Sequence, residues 1–98
     1  MYIKLYQYHI RPENEQELML IQQEAGQIYR KYIAVQTKIL KSRIDETKWT
    51  ELNFYKSEDD YQNKLPLINM DPDIPGLYKR FQSILISDIR EEDYEECH

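Results

Sequence analysis

The hydrophobic period of the chain changes several times, and each change marks an element. From Tyr2 to Ile10 the residues alternate, with Ile3, Leu5, Gln7 and His9 on one face and Tyr2, Lys4, Tyr6, Tyr8 and Ile10 on the other. A period of two predicts a strand. Arg11 to Asn14 then supplies a proline and a polar residue able to cap, after which Leu18, Ile21, Ala25, Ile28 and Tyr32 recur at intervals of three and four. That spacing predicts a long amphipathic helix. Gly26 falls inside it at a cost of about 1 kcal/mol relative to alanine, either simply tolerated or allowing the helix backbone to approach the sheet closely.

Alternation resumes where Val35, Thr37 and Ile39 oppose Gln36, Lys38 and Leu40, and it runs to about Ile44. Asp45 to Lys48 reads as a turn. Trp49 to Lys56 alternates again, with Leu52 and Phe54 on one face and Trp49, Glu51, Asn53 and Tyr55 on the other, so the two strands form a hairpin. Ser57 with Asp60 resembles a capping box with the shorter acid, and Tyr61, Leu65 and Ile68 continue at helical spacing. Pro66 removes an N–H donor and is expected to kink or interrupt this helix, while Pro72 and Pro75 lead into Leu77, Phe81 and Leu85, again at helical spacing. A last stretch, roughly Ile84 to Tyr94, has the β-branched and aromatic character of an edge strand.

The order β-α-β-β-α-β predicts an α+β, ferredoxin-like domain: a four-stranded antiparallel sheet with its helices on one face and a second helical region interrupted by prolines. The 98 residues suffice for one domain, 1–98, and for one core. A core of this size is marginally stable alone, so burial against a second copy would add stability. The alternation suggests where. With Ile3 and Leu5 taken as the helix-covered face, Tyr2, Tyr6, Tyr8, Trp49 and Tyr55 lie on the open side and form the expected homodimer interface, since tyrosine buries a large ring while its hydroxyl stays hydrogen-bonded.

Charge narrows the functional classes. The segment from Asp88 to His98 holds six carboxylates against Arg90 and accounts for the whole net charge of −5. Residues 88–98 therefore read as an acidic C-terminal edge or tail, and the remainder is electrically balanced and offers no basic footprint for nucleic acid. No apolar run approaches the roughly 20 residues that cross a bilayer, and the first ten residues lack the layout of a signal peptide. The only cysteine, Cys97, excludes an intramolecular disulfide and a multi-thiolate metal site. A cytoplasmic location without membrane contact is expected. Cys97 next to His98 could take up stray metal, but a chain end is a poor place for a built site.

On the expected helix-covered face, Gln7 and His9 follow Ile3 and Leu5, and a buried polar side chain needs a partner that a ligand can supply. His9 is thus the candidate catalytic base or hydrogen-bond donor, alongside the alternative of a satisfied strand-end histidine. Gly26 and Gly76 are the only glycines, so there is no phosphate-cradling loop, and no nucleophile elbow is present.

The segment YIKLYQYHI, followed by a charged turn and a long helix, and then WTELNFYKSEDDY, a strand running directly into a capped helix, resemble the dimeric α+β barrel proteins related to antibiotic biosynthesis monooxygenases. The resemblance is one of pattern and spans nearly the whole chain. It implies two sheets packed together in a dimer and a cavity between sheet and helices for an aromatic or polycyclic substrate or haem. Some members of that group oxidise such substrates without a metal or flavin. Asn53, Trp49 and Tyr55 are similar in type and element to residues those oxygenases place around substrate, with interface packing as the alternative. Haem-degrading relatives take a histidine ligand from the second helix, and here the only histidines are His9 and His98, so no cofactor and no metal are expected. RNA-recognition domains share the topology but carry a basic-glycine-aromatic pattern that TKWTELNFYKS lacks. Arg11-Pro12-Glu13-Asn14 is too acidic and glycine-poor for the anion loop of an acylphosphatase. Two readings follow: a cofactor-independent monooxygenase acting on a small aromatic substrate through Gln7, His9, Trp49, Asn53 and Tyr55, or a non-catalytic dimer that binds a small ligand or has a structural role.

Overall fold

The alternating residues Tyr2–His9 form β1, one of two central strands of a four-stranded antiparallel sheet in the computed structural model, which describes residues 1–97. A single 3-10 turn, Pro12–Asn14, leads into α1, Glu15–Tyr29. The hairpin strands are β2, Val35–Lys41, and β3, Lys48–Tyr55. Two helices follow, α2 over Glu58–Asn69 and α3 over Ile74–Ile84, before the edge strand β4, Arg90–Glu95. The sheet order β2-β3-β1-β4 is that of the ferredoxin-like fold, as the order of elements predicted.

Several boundaries move for local reasons. Asn14 makes no side-chain cap, because the 3-10 turn already leads the chain into α1. The hairpin closes earlier than Ile44: Ser42 Oγ accepts from the amides of Ile44 and Asp45, and Asp45 Oδ1 accepts from the amide and hydroxyl of Thr47. These local bonds outcompete the ladder. Ser57 does cap α2, accepting from the Asp60 amide at 3.1 Å. Pro66 lies within α2 without ending it; the break comes at residues 70–73, which include Pro72, and Pro75 opens α3 where a missing N–H costs nothing. Ile84 is the last residue of α3, so the edge strand is shorter than expected, and Leu85 makes only an isolated bridge to Ile10.

The two sheet faces are the reverse of the expectation. Tyr2, Tyr8, Trp49 and Tyr55 are 6%, 1%, 4% and 2% exposed within the single chain, and they lie beneath the helices rather than on the open side. Register makes this consistent across the sheet, because Tyr2 pairs with Tyr55, Tyr6 with Glu51 and Tyr8 with Trp49. The open face instead carries Ile3, Leu5, Gln7 and His9, opposite Phe54, Leu52, Thr50 and Lys48. The physical reason is area. Tyr2, Lys4, Tyr6 and Tyr8 of β1 and the following Ile10, together with Trp49 and Tyr55, offer far more surface to bury than Ile3 and Leu5, and the helices cover the larger payload.

The helix side holds two apolar half-cores. Tyr8, Ile10, Leu18, Ile21, Trp49 and Ile84 form one, and Tyr2, Ile33, Tyr55, Tyr61 and Ile68 form the other. Gly26 does not let α1 approach the sheet closely: a β-carbon there would meet only the mobile end of the Arg30 side chain, at 2.9 Å. Gly26→Ala is therefore expected to raise stability by about 0.5–1 kcal/mol in a urea titration, with loss of stability counting against this account.

The acidic C-terminal segment is not a free tail over Arg90–Glu95. Lys4, 6% exposed, bonds Glu91 and reaches Asp93 Oδ1 at 2.9 Å, and the Tyr2 hydroxyl donates to Asp93 Oδ2 at 2.9 Å. Burial alone would lower the Lys4 ammonium, but the bonds it donates to Glu91 and Asp93 outweigh it and hold the group above its ordinary value. The bond from Lys4 holds the Asp93 carboxyl below its ordinary 3.8. A raised lysine contributes stability that is present below 10.5 and lost as pH rises through its folded value. A lowered carboxylate contributes stability present above 3.8 and lost as pH falls through its folded value. Lys4→Met should cost about 1–3 kcal/mol, below the range for fully buried pairs because the acids are half exposed. Protection of the β4 amides, relative to the intrinsic exchange rate at each pH, should fall in that variant, and in the unaltered protein both above pH 10.5 and below pH 3.8. Unchanged protection of β4 would sink the assignment.

Candidate functional site

Between the two half-cores the helices do not meet the sheet. They leave a cavity of about 460 Å³, open on one side and within the range of small-molecule sites. Its floor comes from β1 and β3 through Tyr6, Tyr8, Glu51, Asn53 and Tyr55. Its roof comes from α1 through Ile21, Gln22, Ala25 and Tyr29, from α2 through Tyr61, and from α3 through Leu77, Tyr78 and Phe81. Thr37 on β2 and Glu91 on β4 lie at opposite sides of the floor. The pleat explains the lining: alternate residues of two paired central strands share one face, so Tyr6, Tyr8, Glu51, Asn53 and Tyr55 converge.

The chemistry is concentrated at Glu51. Gln22 Nε2 donates to Glu51 Oε1 at 2.5 Å, the Tyr8 hydroxyl donates to the same oxygen at 3.4 Å, and Asn53 Nδ2 donates to Oε2 at 2.9 Å. The Thr37 hydroxyl in turn donates to Asn53 Oδ1 at 2.7 Å, which fixes the amide with its NH₂ toward the carboxylate. No cation of the described residues pairs with Glu51. Burial pushes the Glu51 carboxyl above its ordinary value, and the bonds from Asn53, Gln22 and Tyr8 oppose that push without cancelling it. The surrounding phenols are raised as well, Tyr6, Tyr8 and Tyr55 chiefly by burial and Tyr29 by burial up to about 12. They are neutral walls at physiological pH. The arrangement can hold an aromatic molecule against tyrosine rings and offer it one basic oxygen.

The expected site residues separate. Asn53 and Tyr55 line the cavity, whereas Trp49 is packed in the half-core with Tyr8 and Ile21, under the Lys41 ammonium. Gln7 and His9 are on the open face, on the other side of the sheet from the cavity. Gln7 bonds Thr50 Oγ1 and Arg90, and His9 Nδ1 lies 2.8 Å from Thr47 Oγ1 and 3.6 Å from Asp45. His9 thus holds the hairpin turn, which corrects its assignment as a base at a ligand cavity. Glu51, Gln22 and Tyr8 are the cavity residues that the sequence reading passed over. The signal was present in Glu51 itself, the charged member of the alternating set Trp49, Glu51, Asn53 and Tyr55. Among the described residues no group of three or more His, Cys, Asp or Glu is placed to hold a metal ion, and no helix is long and apolar enough to cross a membrane. His98 lies outside the described residues.

No family model matches the chain, and no curated protein matches it in sequence. Solved structures do match along its whole length. SnoaB from Streptomyces nogalater, a cofactor-independent oxygenase solved as a point variant, superposes with a TM-score of 0.76 at 7% identity, covering 99% of this chain and 93% of that one. An uncharacterized NIPSNAP domain protein from Burkholderia xenovorans gives 0.78 at 14% identity, with 99% and 95% covered. An antibiotic biosynthesis monooxygenase gives 0.74 at 11%, with both chains covered completely. The chain therefore has the ferredoxin-like fold of the antibiotic biosynthesis monooxygenases; at such identities the likeness extends to fold alone.

A raised carboxyl destabilises the fold once it ionises. Below the ordinary value of 4.5 Glu51 is protonated in both states and costs nothing. Between 4.5 and its folded value the native state holds the extra proton, so stability falls as pH rises, and above that window the loss is complete. The stability of the unaltered protein minus that of Glu51→Gln, measured by urea unfolding from pH 4 to pH 8, should decline with pH. Parallel profiles would show that burial does not perturb this group.

Proposed function

We propose that the protein is a cofactor-independent monooxygenase that binds a small aromatic substrate in the cavity between sheet and helices, and that it works as a homodimer. The observation that carries the reading is the cavity itself, about 460 Å³ with tyrosine-rich walls and one uncompensated carboxylate. Its volume suits a ligand of two or three fused rings, held by ring-to-ring contacts with Tyr6, Tyr29, Tyr55 and Tyr61. An electron-rich hydroxyaromatic that has lost a proton can reduce dioxygen directly, so such a site needs to bind, orient and deprotonate. The shared fold with SnoaB supports this reading by analogy.

The open face supports the dimer. Ile3, Leu5, Leu52 and Phe54 form an apolar stripe across the two central strands, flanked by Gln36 and Lys38 on β2 and by Tyr94 and Glu92 on β4, and the helices lie on the other face. An uncovered apolar stripe with a polar rim has the anatomy of an interface, and face-to-face sheet packing would bury it.

Two measurements test the proposal. Oxygen uptake with a panel of phenols, naphthols and hydroquinones should show turnover with at least one fused-ring member, and binding without uptake across the panel would favour the non-catalytic ligand-binding reading. Light scattering should give twice the chain mass, falling to the chain mass in Leu52→Lys; a monomeric unaltered protein would overturn the dimer.

A further inference from the structure

We infer that Glu51 is the catalytic base of the cavity, that it removes the hydroxyl proton of a phenol-type substrate, and that Asn53, held by Thr37, is the positioning residue that aims it. The inference rests on the reading of the cavity as a site for small aromatics and adds to it the reacting atom and the class of ligand group.

The hydrogen-bond inventory selects the atom. Glu51 Oε1 already accepts from Gln22 and Tyr8, whereas Oε2 accepts only from Asn53, so Oε2 keeps a free lone pair. Glu51 lines the cavity and is partly accessible, which leaves that lone pair to the ligand. The donors around it are two amides and a phenol, all neutral, so they orient the carboxylate without suppressing its basicity as a cation would. Asn53 is 7% exposed and cannot turn without breaking its 2.7 Å bond from Thr37. The step is a plain proton transfer: the substrate O–H bond breaks, an O–H bond forms on Glu51, and the electron pair stays on the substrate oxygen. The cavity carries one negative charge before and after, so no further ion is needed to balance it.

Glu51 is the one carboxylate of the cavity without a cation partner among the described residues, and the other facing groups are phenols, Tyr61 from α2 and Tyr78 from α3 among them, apart from Glu91. Tyr8 and Tyr6 from β1, Tyr29 from α1 and Tyr55 from its own strand are phenols held neutral by burial. Glu91 on β4, opposite Tyr6, is ion-paired with Lys4, which it shares with Asp93. Gln22 and Asn53 do not titrate.

The test uses 4-nitrophenol, whose neutral and ionised forms absorb at different wavelengths, with the intact protein and with Glu51→Gln. Both should bind it with affinities within about threefold. Bound to the unaltered protein it should show the phenolate band at a pH where the Gln variant holds it as the phenol. For any substrate turned over, kcat/KM should fall about 10²- to 10⁴-fold in Glu51→Gln and lose its acidic limb. Thr37→Val, at an exposed edge-strand position where folding is not at stake, should lower kcat about tenfold to a hundredfold with KM unchanged. Equal spectra in both proteins would overturn the base while leaving the aromatic site standing, as would full activity in both variants. Failure of both proteins to bind any aromatic probe would overturn the site and the base together. Binding of protonated aromatic amines in place of phenols, lost in Glu51→Gln, would make Glu51 a counter-ion and end the proposal.

Discussion

Burying Glu51 beneath helices with no cation of the described residues paired to it sets the terms for the middle of the molecule. An ionised carboxylate in a closed apolar core is too costly to keep, so the fold must either protonate it or surround it with donors and leave it some access to solvent. Here it does both in part. Gln22, Tyr8 and Asn53 supply the donors, and the cavity supplies the access. The split of the apolar interior into two half-cores follows, because residues that would close the gap over Glu51 would also remove its hydration.

A small sheet with a hole in its core needs its strands fixed by other means. β1 lies between β3 and β4, and its helix-side residues serve each neighbour differently. Toward β3 the contacts are aromatic, with the Tyr2, Tyr55 and Tyr61 rings at centroid distances of 4.7 to 6.3 Å. Toward β4 they are ionic, since Lys4 bonds both Glu91 and Asp93 and its ammonium lies 5.5 Å from the Tyr61 ring centre. Lys4 thereby ties the acidic strand to the aromatic half-core. Charges at this edge also discourage unwanted pairing with other chains. Arg80 of α3 adds a second tie across the roof, reaching Glu17 and Glu24 on α1.

The order of elements was legible because it depends on local periodicity: period two over Tyr2–His9, helical spacing over Glu15–Tyr29, and a serine cap at Ser57. The orientation of the sheet was not. Alternation says which residues share a face, but the choice of face depends on where helices from distant segments settle, and that is decided by total buried area. Ile3 and Leu5 are more hydrophobic residue for residue, but the rings of Tyr2, Tyr6 and Tyr8 carry more area. That one inversion sent Gln7 and His9 to the open side and brought Tyr6, Tyr8 and Glu51 to the cavity. Asn53 and Tyr55 reached the cavity because they had been placed on the aromatic face of β3, opposite Leu52 and Phe54, and that grouping survives inversion. The role of the acidic segment was illegible for a related reason: its partner Lys4 is 87 residues from Glu91, and nothing local marks a lysine as buried.

Parity along β1 and β3 gives the molecule two surfaces that can change independently. Even-numbered residues of β1 and odd-numbered residues of β3 meet the cavity or the half-cores, while their immediate neighbours meet the open side. A substitution at Leu5 or Leu52 alters the surface available to another chain without entering the cavity, and one at Tyr6 or Glu51 does the reverse. The two surfaces remain mechanically linked, however, because both hang on the same ladder of paired residues. Leu5 faces Leu52 while the adjacent Tyr6 faces Glu51. Covering the open stripe would therefore stiffen the strands that carry Glu51 and Asn53, and the precision with which Asn53 holds the carboxylate would rise with it.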